Sequence, residues 1–224
     1  MADSYRPIAD PPIEVALALA VKPVDALTGR PLRDEAAVSI ADVRPAPCLN
    51  PSGYWLFLTP PVELPDDPVT LTIETPPRYI DRTIDVFVDD LEPAALRVQL
   101  YPSTAYDFAR GRTRVQGTVE DDDGEPVSDA IVRIGHTDLE TRTDTDGRFI
   151  LAIDGIVSTE FAENGDALRV DPDSDDPTLV RDYGGDGMRE RLTLVVDHPG
   201  HDETTSEREI HEGELTVLDA PIVM

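Results

Sequence analysis

Two stretches of this chain are near copies of each other. Thr28-Gly29-Arg30-Pro31-Leu32, Val38-Ser39-Ile40 and Asn50-Pro51-Ser52-Gly53-Tyr54-Trp55-Leu56-Phe57-Leu58 return as Asp123-Gly124-Glu125-Pro126-Val127, Ile131-Val132-Arg133-Ile134 and Asp144-Thr145-Asp146-Gly147-Arg148-Phe149-Ile150-Leu151. The offset is 95 residues at the first glycine (124 − 29) and 94 at the second (147 − 53). A turn, a short apolar stretch, a second turn and an aromatic strand, in the same order twice, predict two copies of one small β-domain. At 224 residues and 40% hydrophobic content the chain can fill two modest cores of about 100 residues each. The repeat also predicts that Trp55 and Phe149 take equivalent core positions.

Residues 1–12 hold Pro7, Pro11 and Pro12 among polar residues, which predicts an extended arm whose Tyr5 and Ile8 could anchor on a neighbour. A first β-sandwich is expected over residues 13–100, with strands near Glu14–Val21, Ala37–Ile40, Tyr54–Thr59, Val69–Glu74, Thr83–Val88 and Leu96–Leu100. Residues 101–112 form a bridge carrying Tyr101, Tyr106 and Phe108, too aromatic for a plain flexible linker. A second sandwich is expected over residues 113–224. It opens with the alternation of Thr113–Val119, turns at Asp123-Gly124, and continues near Ala130–Gly135, Leu139–Thr143, Arg148–Asp154, Arg191–Asp197, Thr205–Ile210 and Leu215–Val217. Residues 155–190 form an acidic insertion without a counterpart in the first copy. The fold class is therefore all-β, two tandem antiparallel sandwiches.

Charge narrows the partners. The net charge is −27 and the pI about 4.2, and Lys22 is the only lysine among 19 basic residues. This pattern points to a salt-adapted proteome, because molar salt shortens the Debye length to about 3 Å and a carboxylate-rich surface then stops repelling itself. Stability is expected to fall as salt is lowered. A chain this negative lacks the positive face that nucleic acid or an anionic membrane demands. Cys48 is the sole cysteine, so no intrachain disulfide forms, and it reads as a small half-buried residue rather than a nucleophile. The N-terminus has no basic-then-apolar secretory pattern, and the longest apolar run, Val15–Val21, is too short to span a bilayer. Synthesis and residence in the cytoplasm are expected, unless a larger particle carries the protein out.

The stretch Val115–Val132, followed by Thr143-Asp144-Thr145-Asp146-Gly147-Arg148-Phe149, resembles the carboxypeptidase regulatory-like domain, a transthyretin-like sandwich. That resemblance implies a Greek-key arrangement of about seven strands in an accessory module rather than a catalyst. The enzymatic relative of this fold, a hydroxyisourate hydrolase, ends in Tyr-Arg-Gly-Ser, whereas this chain ends Asp219-Ala220-Pro221-Ile222-Val223-Met224. Asn50–Leu58 together with Leu96–Tyr106 is similar to β-sandwich proteins of extracellular contractile injection systems, which are phage-tail-like particles. This second resemblance implies a structural subunit at the cap, baseplate or outer surface of such a particle.

Few constellations suggest chemistry. His198 and His201 flank a Pro-Gly turn, and with His211 on the next strand three imidazoles could hold zinc if they converged. The reading preferred for these residues is structural, an ordinary turn in which His-Pro-Gly-His takes the place of Pro-Gly-Tyr. Asp171, Asp173 and Asp175 alternate as calcium ligands can, but Asp176 stands where an EF-hand needs glycine and Asp182 where it needs glutamate. No Gly-x-Ser-x-Gly elbow and no phosphate loop ahead of a helix occurs. The sequence thus predicts a protein without cofactor or catalytic residues, acting by protein–protein contacts as a structural or adaptor subunit in a multiprotein assembly. Tyr5, Ile8, Tyr101, Tyr106 and Phe108 are its candidate contacts. A general protein- or glycan-binding module is the alternative, and a metal-dependent enzyme at the histidine end the third reading.

Overall fold

A computed structural model describes residues 15–33, 35–59, 64, 68–135, 137, 139–153, 179–182, 189–211 and 213–224; for 179–182, 189–191 and 211 it describes the backbone alone. The fold is all-β, and among the described residues the only helical element is a 3-10 turn at Val88–Asp90. The chain divides into two compact units. The first comprises Met1–Val24, Pro31–Glu74 and Arg82–Val98; the second comprises Asp25–Arg30, Thr75–Asp81 and Gln99–Met224.

The strands of the first copy are β1 (Ala16–Asp25), β2 (Ala37–Ile40), β3 (Cys48–Leu49), β4 (Trp55–Thr59), β5 (Val69–Glu74), β6 (Arg82–Val86) and β7 (Ala95–Leu100). They form two sheets, ordered β3-β4-β1-β7 and β2-β5-β6. Strand β5 shows why this sequence chooses a sheet: Val69, Leu71 and Ile73 are fully buried while Thr70, Thr72 and Glu74 alternate outward, the period of two that puts one face in a core. Strand β1 runs four residues past the expected Val21, through Pro23. Its ladder with β4 ends at Val21–Trp55, so the proline nitrogen has no bond to supply. Ala20 N–H donates to Ala94 O and Ala26 N–H to Leu100 O, a constant offset of 74 residues (94 − 20, 100 − 26), so β1 and β7 run parallel.

The second copy has β8 (Thr113–Glu120), β9 (Ile131–Ile134), β10 (Glu140–Arg142), β11 (Arg148–Ile153), β12 (Leu179–Asp182), β13 (Arg189–Asp197), β14 (Thr204–His211), β15 (Leu215–Val217) and β16 (Ile222–Val223). One sheet runs β11-β8-β15 with β16 also on β8, and both late strands lie parallel to β8. In the other, β13 pairs with β9, β12 and β14. The main core of this copy gathers Val115, Val119, Phe149, Leu151, Leu192, Leu194, Val196 and Ile210.

Strand for strand the two copies share an order. β4-β1-β7 corresponds to β11-β8-β15, and β2-β5-β6 to β9-β13-β14. They differ where β3 pairs with β4 but β10 pairs with β9, and in β12 and β16, which have no counterpart among the described strands of the first copy. Strand β12 and the start of β13 lie within the acidic insertion, which therefore returns part of its length to the sheet. The Trp55–Phe149 equivalence holds in register and fails in depth. Phe149 faces Gly117 and is fully buried, because a Cβ on Gly117 would stand 3.0 Å from the Phe149 ring. Trp55 faces Val21, whose branched side chain takes that space; Trp55 is only half-buried, and Phe57 becomes the buried aromatic of β4.

Candidate functional site

The glycines of the repeat mark four turns of one design. Asn50 Oδ1 accepts the N–H groups of Ser52 and Tyr54, Asp121 Oδ1 those of Asp123 and Glu125, and Asp144 Oδ1 those of Asp146 and Arg148, each at 2.9 Å. In each, the glycine three residues on donates back to the carbonyl of the anchoring residue. Those glycines, Gly53, Gly124 and Gly147, have φ between 70° and 84°, the left-handed region that side chains disfavour. Asp25 anchors the fourth turn, one residue longer, through Leu27 N–H at 2.7 Å and Thr28 N–H at 2.9 Å.

Asp25 alone among these anchors is buried, and its second oxygen carries a further load. Oδ2 accepts the Tyr79 hydroxyl at 2.9 Å and the Tyr106 hydroxyl at 3.0 Å. The two rings meet edge to face with centroids 5.5 Å apart, and Tyr106 continues to Phe108 at 4.7 Å. All of these residues belong to the second unit. Burial pushes the Asp25 carboxyl up, but the Thr28 N–H, the two tyrosine hydroxyls and the Leu27 N–H together outweigh it and hold the group below its ordinary value. Burial, and then the hydrogen bond to this carboxylate, push the Tyr79 and Tyr106 hydroxyls up, so both remain donors. With four donors on two oxygens the carboxylate has spent its lone pairs, which suits it to joining three chain segments rather than to proton transfer.

The rest of the bridge is bound in the same way. Tyr79 and Pro102 form a β-bridge, Ile80 N–H donates to Tyr101 O at 3.0 Å, and Ser103 N–H donates to Arg78 O at 2.9 Å. The Tyr101 hydroxyl donates to the Glu140 carboxylate. Tyr101 and Phe108 are buried and Tyr106 half-buried, so these aromatics of the bridge pack against the second unit. Neither Asp25 nor Tyr79 stood out in the sequence. The available signal was an acid at the end of an apolar strand, matched in the second copy by Asp121.

The histidines do not assemble. His198 and His201 lie 5.2 Å apart by ring centroid at the β13–β14 turn, and His198 Nδ1 accepts the Gly200 N–H at 3.1 Å, the role of a turn residue. His211 pairs with Arg189 at the far end of that ladder, seven residues beyond Thr204, a separation of about 23 Å at strand rise. One long hairpin thus sets the His211 backbone at the opposite end of the ladder from the turn that carries His198 and His201. Among the described residues no three His, Cys, Asp or Glu side chains are placed to share a metal ion. Tyr5, Ile8, Asp171, Asp173 and Asp175 lie outside the described residues. No described helix is long and apolar enough to cross a membrane. Compared with protein-family models, curated proteins and solved structures, the chain matches none.

The apolar side chains that remain on the surface of the second unit are grouped. Leu215 and Val217 on β15 and Val223 on β16 are 40%, 56% and 49% exposed, on the strands that end the β11-β8-β15 sheet. They stand beside Arg114, Gln116 and Glu120 on the outward face of β8, while Ile222 turns into the core.

Proposed function

We propose that this protein is a non-catalytic structural or adaptor subunit, built of two tandem Greek-key, transthyretin-like sandwiches and working by protein–protein contacts. The shared strand order of the two copies supports the tandem sandwich. The observation that carries the functional reading is the β15–β16 edge, where exposed Leu215, Val217 and Val223 border backbone that a partner strand can complete. The buried Asp25–Tyr79–Tyr106 network serves the same end, since it makes the bridge a rigid mount. The assembly we assign to it is a phage-tail-like contractile particle, since its first copy and bridge resemble β-sandwich proteins of such systems.

The test is co-sedimentation with such particles in molar salt, followed by cross-linking and mass spectrometry. The wild-type chain is expected to cross-link through residues 215–223, and Val217→Asp, a change at an exposed site, is expected to leave the fold intact while abolishing incorporation. Undiminished incorporation of Val217→Asp would remove the edge from the reading, and a wild-type chain that never sediments with a particle would remove the assembly.

A further inference from the structure

Strand β15 leaves one edge of its sheet unpaired. Glu214 O accepts the Arg114 N–H at 2.9 Å and Leu218 N–H donates to Gln116 O at 2.8 Å, so the even-numbered residues of this stretch turn their backbone groups to β8. Leu215 and Val217 alternate with them and turn their N–H and C=O groups the other way, where among the described residues no strand pairs. Parallel pairing of Leu215 with Arg114 and of Val217 with Gln116 sets both side chains on the outer face of the sheet, exposed. Sheet edges are ordinarily blunted by charge. Strand β14, at an edge of the other sheet, is guarded in this way by exposed Glu207 and Glu209, whereas Leu215-Thr216-Val217 carries no charge.

We propose that the occupant of this edge is β15 of a second molecule of the same chain, paired antiparallel about a two-fold axis through Thr216. This names the partner strand of the β15–β16 edge and rests on that reading. With Thr216 opposite Thr216, Leu215 of each molecule stands opposite Val217 of the other as a hydrogen-bonded pair, and every outward backbone group of both strands is satisfied. The neighbouring registers fit worse. Leu215 opposite Leu215 would set Val217 against Gly213, whose N–H already serves Thr113 Oγ1, and Val217 opposite Val217 would set Leu215 against Asp219. An axis perpendicular to the sheet joins outer face to outer face, so the exposed Leu215 and Val217 of both molecules meet as one apolar patch. Charge agrees with this register: Glu214 falls opposite Leu218 and Asp219 opposite Gly213, so no carboxylate stands opposite another. A basic strand, which a net charge of −27 would otherwise draw, finds no carboxylate on β15 to pair with.

The test uses the isolated full-length protein in molar salt, without particles. Sedimentation equilibrium is expected to give twice the chain mass of 24.5 kDa. Val217→Asp, which brings a carboxylate onto Leu215 of the other molecule, is expected to weaken the dimer about 100-fold or more. The register is read by cysteine pairing in a Cys48→Ser background. Thr216→Cys should close a disulfide between molecules on mild oxidation, since residues facing each other on such an axis have Cα atoms about 4.5 Å apart. Thr216 Oγ1 has no hydrogen-bond partner among the described residues, so this change should leave the melting temperature nearly unaltered. Leu215→Cys and Val217→Cys should link only when the two variants are mixed, because like positions lie beyond the roughly 7 Å between Cα atoms that a disulfide can span. A monomer at every concentration, a dimer that Val217→Asp leaves intact, or Leu215→Cys linking to itself would each overturn the proposal. The two readings fail separately. A monomer that still enters particles returns the edge to a different protein, whereas a dimer with the expected links that never sediments with a particle supports the pairing and removes only the assembly.

Discussion

Asp25 and Asp121 occupy the same place in the two copies, at the turn that follows the first strand, and each uses Oδ1 to hold two backbone N–H groups. Asp121 is half-buried in a turn that Gly124 completes. Asp25 also receives two tyrosine hydroxyls from residues 54 and 81 positions away and is only 4% exposed. The difference teaches that a local device can be copied whole while its energetic weight is set by what lands on it. The turn needs only an acceptor and a glycine, but the network needs Tyr79 and Tyr106 delivered by distant segments.

Substitutions can break this pairing of copies, and the strongest lie on the aromatic strands. Phe57→Ala and Phe149→Ala are each expected to cost about 3–5 kcal/mol, the loss for emptying a buried aromatic site. Trp55→Ala, at the register position of Phe149 but half-buried, should cost clearly less. Chemical denaturation of the three variants measures this, and a Trp55→Ala loss equal to that of Phe149→Ala would restore the simple equivalence that the sequence suggested.

Next in size is Asp25→Ala, which strands two tyrosine hydroxyls and two turn N–H groups; about 3 kcal/mol is expected, against about 1 kcal/mol for Asp121→Ala, whose N–H groups can turn to water. Equal losses would show that the tyrosines contribute nothing. The same network predicts a pH signature. Because the Asp25 carboxyl is held below its ordinary 3.8, its contribution is present at neutral pH and is lost as the pH falls below about 4 and through the folded value. Because the Tyr79 hydroxyl is held above its ordinary 10.0, that contribution is present below pH 10 and is lost as the pH rises through the folded value. In denaturation curves taken across pH, Asp25→Asn should flatten the acid limb and Tyr79→Phe the alkaline one.

The smallest expected effect separates two glycines. Gly124→Ala should cost about 1 kcal/mol, since φ is positive but nothing lies within 4 Å of an added Cβ. Gly147→Ala, whose Cβ would meet Val119 O at 2.5 Å, should cost more, and equal melting temperatures would contradict the packing at that turn.

Most of the strands were legible because they are short-range objects. Ala37–Ile40, Val69–Glu74 and Leu215–Val217 fall where alternation and flanking turn residues put them. The strands that were missed, Cys48–Leu49, Leu179–Asp182 and Ile222–Val223, are two to four residues long and exist because a neighbouring strand offers a ladder. The packing of the bridge was not legible for a related reason. Tyr101, Tyr106 and Phe108 look like surface anchors in a linker until Asp25, Glu140 and Ile150 are brought beside them.

By itself the sequence determined the all-β class, the repeat of about 95 residues, its glycine turns and the acidic surface. These follow from backbone sterics, a period of two and net charge, all of which act between near neighbours or through composition. Tertiary structure alone decided that one of two matching aspartates is buried, that Phe57 rather than Trp55 fills the first core, and that the His211 backbone stands a full hairpin from His198. Each of those depends on which distant side chain takes the available space, and a bulky Val21 in place of Gly117, or an incoming tyrosine hydroxyl, is enough to give the same local pattern a different role.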